Sequence, residues 1–218
     1  MTLGHVNSQA KQENFAFYRY EARLRYQPIN TLSVSLNLEY SENPNRTQYV
    51  TERAFGSTAR YILGEIDQET LSATMRLNFN VNPNLTIQYY GQPFIFKAKY
   101  SNFNFVNNAS AKNINERVSW YNSNQINFAD GVYTVDEDVD GNIDYSFGNP
   151  DFAFVQFRSN LVLRWEYIPG SEVFLVWSQG LNAFGDVNNS FGTIIDNQLF
   201  NQRPQNTFLL KATYRFVL

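Results

Sequence analysis

The residues of this chain best suited to chemistry lie in one acidic run, VDEDVDGNIDYS, at Val135–Ser146. Asp136, Asp138 and Asp140 take positions one, three and five of a loop, Gly141 takes six and Asp144 takes nine. Alternate carboxylates before a glycine let a chain wrap a hard cation in oxygen ligands. The spacing therefore predicts a calcium site of Asp136, Asp138, Asp140 and Asp144, completed by a backbone carbonyl near Asn142. Position twelve is Phe147 instead of a bidentate Glu, and no helical pattern flanks the run. That places it nearer to acidic calcium loops outside true EF-hands, with a solvated acidic loop tip as the alternative.

No catalytic constellation accompanies it. His5 is the one histidine and sits in a terminal segment, whereas a Ser-His-Asp hydrolase needs its base held beside the nucleophile. With no cysteine there is no thiolate nucleophile or thiolate metal ligand. Loop carboxylates are numerous, but nothing in the sequence singles out a glycosidase pair. No glycine-rich phosphate loop or dinucleotide fingerprint occurs. Trp120, Tyr121 and Tyr133 fall in a long polar connection, where they can stack on sugars or pack on one another.

Composition narrows the class. Aromatic residues make up 17% of the chain, weighted toward strand formers. Mean hydropathy is -0.41, and no run approaches the ~20 apolar residues of a spanning helix. A net charge of -3 without basic runs gives no reason to expect a nucleic-acid partner. The opening MTLGHVNSQAKQEN lacks the basic and apolar regions of a secretory signal.

The elements that must position the loops are long period-2 segments. Phe17–Gln27 sets Tyr18, Tyr20, Ala22, Leu24 and Tyr26 against Arg19, Glu21, Arg23 and Arg25. Similar alternation marks Thr31–Ser41, Leu71–Val81, Leu85–Phe96, Phe152–Ile168 and Thr207–Val217, and Glu172–Gln179 is apolar on both faces. Successive side chains of a strand point to opposite faces, so each of the alternating segments has one greasy and one polar side. Tight breaks at Pro28-Ile29-Asn30, Asn82-Pro83-Asn84 and Pro169-Gly170-Ser171 alternate with long polar connections at Glu42–Thr70, Lys97–Asp151 and Gly180–Asn206.

Short turns at one end and long loops at the other are the habit of outer-membrane barrels. Segments of about ten residues match the ~9–11 that a tilted membrane strand needs. Aromatics gather toward strand ends around aliphatic middles, as two interfacial girdles require. The polar face, with Arg19, Arg23, Arg25, Arg76, Arg164 and Arg215, needs a wet interior or open solvent. A sandwich or small barrel with its apolar face inside is the competing fold.

ILGEIDQETLSATMRLNFNVNPNLTIQYYGQPF (Ile62–Phe94), NPDFAFVQFRSNLVLRWEYIPGSEVFLVWSQG (Asn149–Gly180) and TFLLKATYRF (Thr207–Phe216) resemble the C-terminal barrel of a Bacteroidota outer-membrane family. It is named as domain of unknown function 5916, and a carbohydrate-binding module of family-nine type commonly precedes the barrel. The resemblance implies location and architecture, and supplies no reaction or catalytic residues. Barrels of this kind usually end on an aromatic residue read by the assembly machinery, whereas Phe216 is followed here by Val217 and Leu218.

Together these observations predict an all-β protein: an antiparallel up-and-down meander of about seven strands, spanning 1–218 as a single domain. It is expected to be the C-terminal part of a transmembrane barrel in the outer membrane of a Gram-negative bacterium. Its partners would be membrane lipids, the barrel-assembly machinery and, through the loops or an attached module, glycans. The expected role is a pore, uptake or surface-assembly component. The alternatives are a passive anchor, or a module of a glycan-processing enzyme whose active site is expected in a part N-terminal to this chain or at the loops. Phe17–Gln27 and Thr207–Val217 are expected as the edges of an open sheet. Three-residue turns would set Tyr26 opposite Leu32, Phe79 opposite Ile87 and Trp165 opposite Leu175, with Arg19 facing Glu39. Tyr26, Phe79, Trp165, Tyr167 and Phe216 would form a belt near the short turns.

Overall fold

The computed structural model describes residues 1–12 and 14–216. Its strands are β1 (Thr2–Gln12), β2 (Phe15–Ile29), β3 (Leu32–Phe55), β4 (Thr58–Asn82) and β5 (Leu85–Val106). Helix α1 (Ile114–Arg117) follows, then β6 (Val118–Trp120), β7 (Ile126–Ala129), β8 (Val132–Val135) and β9 (Tyr145–Gly148). The chain closes with β10 (Phe152–Ile168), β11 (Ser171–Gly185), α2 (Phe191–Ile195), a π-helical turn at Asp196–Phe200, and β12 (Gln205–Thr213). Among the described residues no helix is long and apolar enough to cross a membrane.

The main sheet is an antiparallel meander ordered β1-β2-β3-β4-β5-β10-β11-β12, with β6 paired to β5, and β7-β8-β9 form a separate small sheet. The all-β meander agrees with the sequence reading, and the sheet is open. Its first edge is corrected: β1 lies outside the strand at Phe17, pairing from Thr2↔Arg25 to Gln12↔Phe15. Val217 and Leu218, which follow Phe216 at the end of the expected assembly signal, lie outside the described residues.

Cross-strand rows give the sheet its two characters. One row runs Leu32–Phe79–Ile87–Leu163–Leu175–Leu210, apolar across six strands. The next on that face runs Tyr26–Val34–Leu77–Tyr89–Leu161–Trp177–Phe208. On the opposite face, the row Arg25–Ser35–Arg76–Tyr90–Asn160–Ser178–Thr207 contains no aliphatic residue. Along β10 this face reads Val155, Phe157, Ser159, Leu161, Leu163 and Trp165, with Val155 buried and Ser159 joining Gln179 and Asn206 in a polar row, so its unbroken apolar stretch runs from Leu161 to Trp165. Mid-sheet residues on this face stay bare: Leu38 is 43% exposed, Met75 40%, Leu175 42% and Trp165 50%.

Two of the expected registers are shifted by two residues. Tyr26 pairs with Val34, and Trp165 with Val173. Each strand pair spends one residue on an irregularity, between Tyr26 and Ile29 or between Glu166 and Ile168, before closing on a shorter turn, Ile29↔Leu32 or Ile168↔Ser171. Pro28 falls within the first irregularity, where its missing N–H costs no ladder hydrogen bond. Pro169-Gly170 makes the other turn, with Gly170 at φ +78°, a position that favours glycine. The pair Phe79↔Ile87 is found as expected.

The long connections also contain more structure than polar loops. Glu42–Thr70 is a continuation of β3 and β4 up to a turn at Gly56, which has φ +57°. Bulges between Asn45 and Gln48 and between Tyr49 and Thr51 scramble the alternation there.

Candidate functional site

The polar face is held by ion pairs. Glu21 lies directly opposite Glu39, correcting the expected Arg19–Glu39 pairing. Arg19 nonetheless reaches Glu39 diagonally, donating at 2.7 Å, and also binds Glu21, which Arg23 binds from the other side. With its carboxylate so bracketed, Glu21 is 3% exposed. Toward the short turns, Arg164 joins Glu172 and Glu166 in a second group.

At the long-loop end the two faces acquire different covers. β4 has no extra residue of its own between Arg60 and Asn78, so Arg60, Ile62 and Gly64 share the face of Thr74 and Arg76. The β7–β9 sheet packs on this side, burying Val135, Tyr145 and Phe147 with Ile62 and Phe103. A Cβ at Gly64 would sit 3.2 Å from the Phe103 ring, so glycine here lets the ring come close. On the apolar face, α2 covers Ile95, Ala153 and Val155 through Ile194. Ser190 caps that helix, its Oγ accepting from Thr193 N at 3.2 Å.

One charged latch fastens the cap. Arg60 Nε donates to both Glu137 oxygens at 2.9 and 3.0 Å, and the Tyr145 hydroxyl donates to Glu137 at 2.5 Å. Tyr121 and Tyr145 hydroxyls lie 2.9 Å apart. The hydrogen bond to Glu137 holds the Arg60 guanidinium above its ordinary pKa. Burial, then the bond to Glu137, pushes the Tyr145 phenol up. Burial pushes Tyr121 up to about 12. Sequence reading missed this latch: Glu137 looked like one more acid of the loop, and Arg60 stands 77 residues away.

Beside the latch, the acidic run is drawn into a turn between β8 and β9. Carboxylate oxygens of Asp136, Asp138 and Asp144 all lie within 4.8 Å of one another. Asp140 is not part of that group; its Oδ1 accepts from Asn142 N at 2.8 Å. Asp136 accepts from Asp140 N at 3.1 Å and Gly141 N at 2.9 Å, and Asp144 from Glu137 N at 2.7 Å. Desolvation, then the charges of Asp140, Asp144 and Asp136, raise the Asp138 pKa. Three hard oxygen ligands thus converge on one point, a donor set that suits calcium.

The other chemical candidates resolve into packing. His5 Nδ1 lies 3.0 Å from the Glu21 carbonyl oxygen, and no hydrogen bond joins it to a serine hydroxyl among the described residues. Tyr133 stacks on Phe147 with ring centres 5.2 Å apart and also meets Phe103 and Phe128. Tyr121 packs against Phe105 at 5.5 Å, while Trp120 is 38% exposed in β6.

A family model described as Domain of unknown function (DUF5916) matches residues 2–217. No curated protein and no solved structure matches the chain.

Proposed function

This chain belongs to the DUF5916 family, and we propose that its main sheet is a wall of an outer-membrane β-barrel whose polar face lines an aqueous passage. The observation that carries the reading is the pair of uninterrupted apolar rows through Leu163 and Leu161, six and seven strands wide. An apolar surface of that breadth, with Leu38, Met75 and Leu175 bare, has no counterpart among the described residues to bury it. Lipid covers it. The ion-paired opposite face stays in water, where its charges keep their solvation.

In this reading the protein is a pore or uptake component of a Gram-negative outer membrane, and the β7–β9 cap stands at the outer mouth, narrowing the passage. Glycans would meet it at the exposed surface of the cap and of Trp120, or through a module attached to the barrel. The test is conductance of the purified full-length protein in planar bilayers. Discrete steps are expected, and they should enlarge when the cap is released by Glu137→Ala. A protein that inserts but never conducts, and that cleaves glycans, would instead be an enzyme anchored by its barrel.

A further inference from the structure

We propose that the polar face carries an oxyanion-binding site, formed by Arg25, Arg76 and Arg23, for a phosphate-bearing solute. Two neighbouring rows build it. Arg25 and Arg76 flank Ser35 in one row, and Arg23 leads the next, followed by Asn37 and Thr74. Strands lie ~4.8 Å apart, so Arg25 and Arg76 rise from points ~10 Å apart with only a small residue between them. The result is an open recess of about 500 Å³ bordered by Arg23, Arg25 and Arg76, with Leu24 and Leu36 beside the short hydroxyl and amide residues between them. On the β1 side the recess is bordered by Thr2, opposite Arg25, and by Gly4, which adds no side chain opposite Arg23.

Charge balance separates this patch from the rest of the face. Arg19 is occupied by Glu21 and Glu39, and Arg164 by Glu172 and Glu166. Arg23 shares Glu21 with Arg19. Among the described residues neither Arg25 nor Arg76 forms an ion pair. Arg76 is instead held over the Tyr90 ring, 4.8 Å from its centre, which orients the side chain while leaving its donors free. Arg25 and Arg76, the two guanidiniums here without a carboxylate partner, are suited to phosphate, because each planar fork can donate two parallel hydrogen bonds to its oxygens. The recess exceeds the size of a bare phosphate, so a phosphate attached to a larger polar solute fits it better.

This inference rests on the barrel reading only in placing the patch beside a passage; the binding itself does not require one. Titration of the full-length protein in detergent with inorganic phosphate, by calorimetry and by phosphorus NMR, tests it. Binding is expected in the wild type. Arg25→Gln combined with Arg76→Gln should weaken it at least about tenfold, the loss of one or two charge-assisted contacts. Arg164→Gln, on the same face but already occupied, should leave it unchanged. Circular dichroism of each variant should match the wild type. No binding by the wild type, or equal weakening by Arg164→Gln, would overturn the site. Phosphate binding without bilayer conductance would uphold the site and defeat the pore; conductance without phosphate binding would do the reverse.

Discussion

Glu21 and Glu39 face each other across β2 and β3, and Arg19 binds both carboxylates. Directly opposed like charges destabilise a strand pair unless a cation lies between them. The shifted register is therefore tolerated because of a diagonal contact, which strand alternation alone cannot show.

Arg19→Ala is expected to lower the urea midpoint of the folded protein more than Arg23→Ala, since Arg23 reaches only one of the two acids. Adding Glu39→Gln to Arg19→Ala should restore most of the loss by removing the repulsion. A double variant no more stable than Arg19→Ala would show that the two carboxylates do not interact.

The cap hangs on Glu137, whose side chain is 9% exposed and whose partner Arg60 is 19% exposed. Truncating one member of such a pair leaves a charge with little water, at a cost of ~3 kcal/mol. Glu137→Ala should speed amide hydrogen exchange in β7–β9 by about two orders of magnitude, a factor of ten for each ~1.4 kcal/mol. Exchange in β10 and β11 should not change. Uniform acceleration through both sheets would mean that the cap and the wall are one cooperative unit.

Alkaline pH should open the same cap. Burial raises the Tyr121 phenol from 10.0 to about 12, so the fold favours its neutral form. An acid with a raised folded pKa contributes stability that is complete below its unfolded value and is lost as pH climbs through the folded one. Between pH 10 and 12 the near-ultraviolet circular dichroism of the cap aromatics should therefore fade together with the rise of tyrosinate absorbance. Tyrosinate formation that leaves the dichroism intact would contradict the burial of Tyr121.

Calcium at millimolar concentration is expected to slow amide exchange across Val135–Tyr145, and Asp144→Ala should abolish the effect. Without calcium, Asp138→Asn should quieten the same loop. The Asp138 pKa is raised, by desolvation first and then by its acidic neighbours, so losing its charge relieves the loop. A wild-type loop indifferent to calcium by calorimetry would leave these acids as a solvated turn.

Leu32, Val34, Leu36 and Leu38 alternate with Ser33, Ser35 and Asn37, and Trp165 alternates with Arg164 and Glu166, so the wall strands could be read directly. β1 could not, because Leu3, His5, Asn7 and Gln9 on one side and Gly4, Val6 and Ser8 on the other show no contrast. Its place comes from backbone pairing. The four-residue strands β7, β8 and β9 are too short for a period to emerge. In the calcium run, spacing brought together Asp136, Asp138 and Asp144, while Asp140 turned to cap Asn142. That choice depends on the Val139 and Gly141 backbone, both at positive φ.

The assignment of faces stands or falls on Leu161 and its neighbour Val162. Leu161 sits in the seven-strand apolar row, between Tyr89 and Trp177. Val162 lies on the other face, between Gln88 and Val176. An arginine on the lipid side near mid-bilayer costs ~2–4 kcal/mol, whereas an arginine toward an aqueous lumen keeps its solvation. Leu161→Arg should therefore sharply reduce folding into phospholipid vesicles, measured by heat-modifiable gel mobility and protease protection, and Val162→Arg should fold nearly as well as the wild type. If Val162→Arg fails and Leu161→Arg folds, the apolar rows face a protein interior and lipid lies elsewhere.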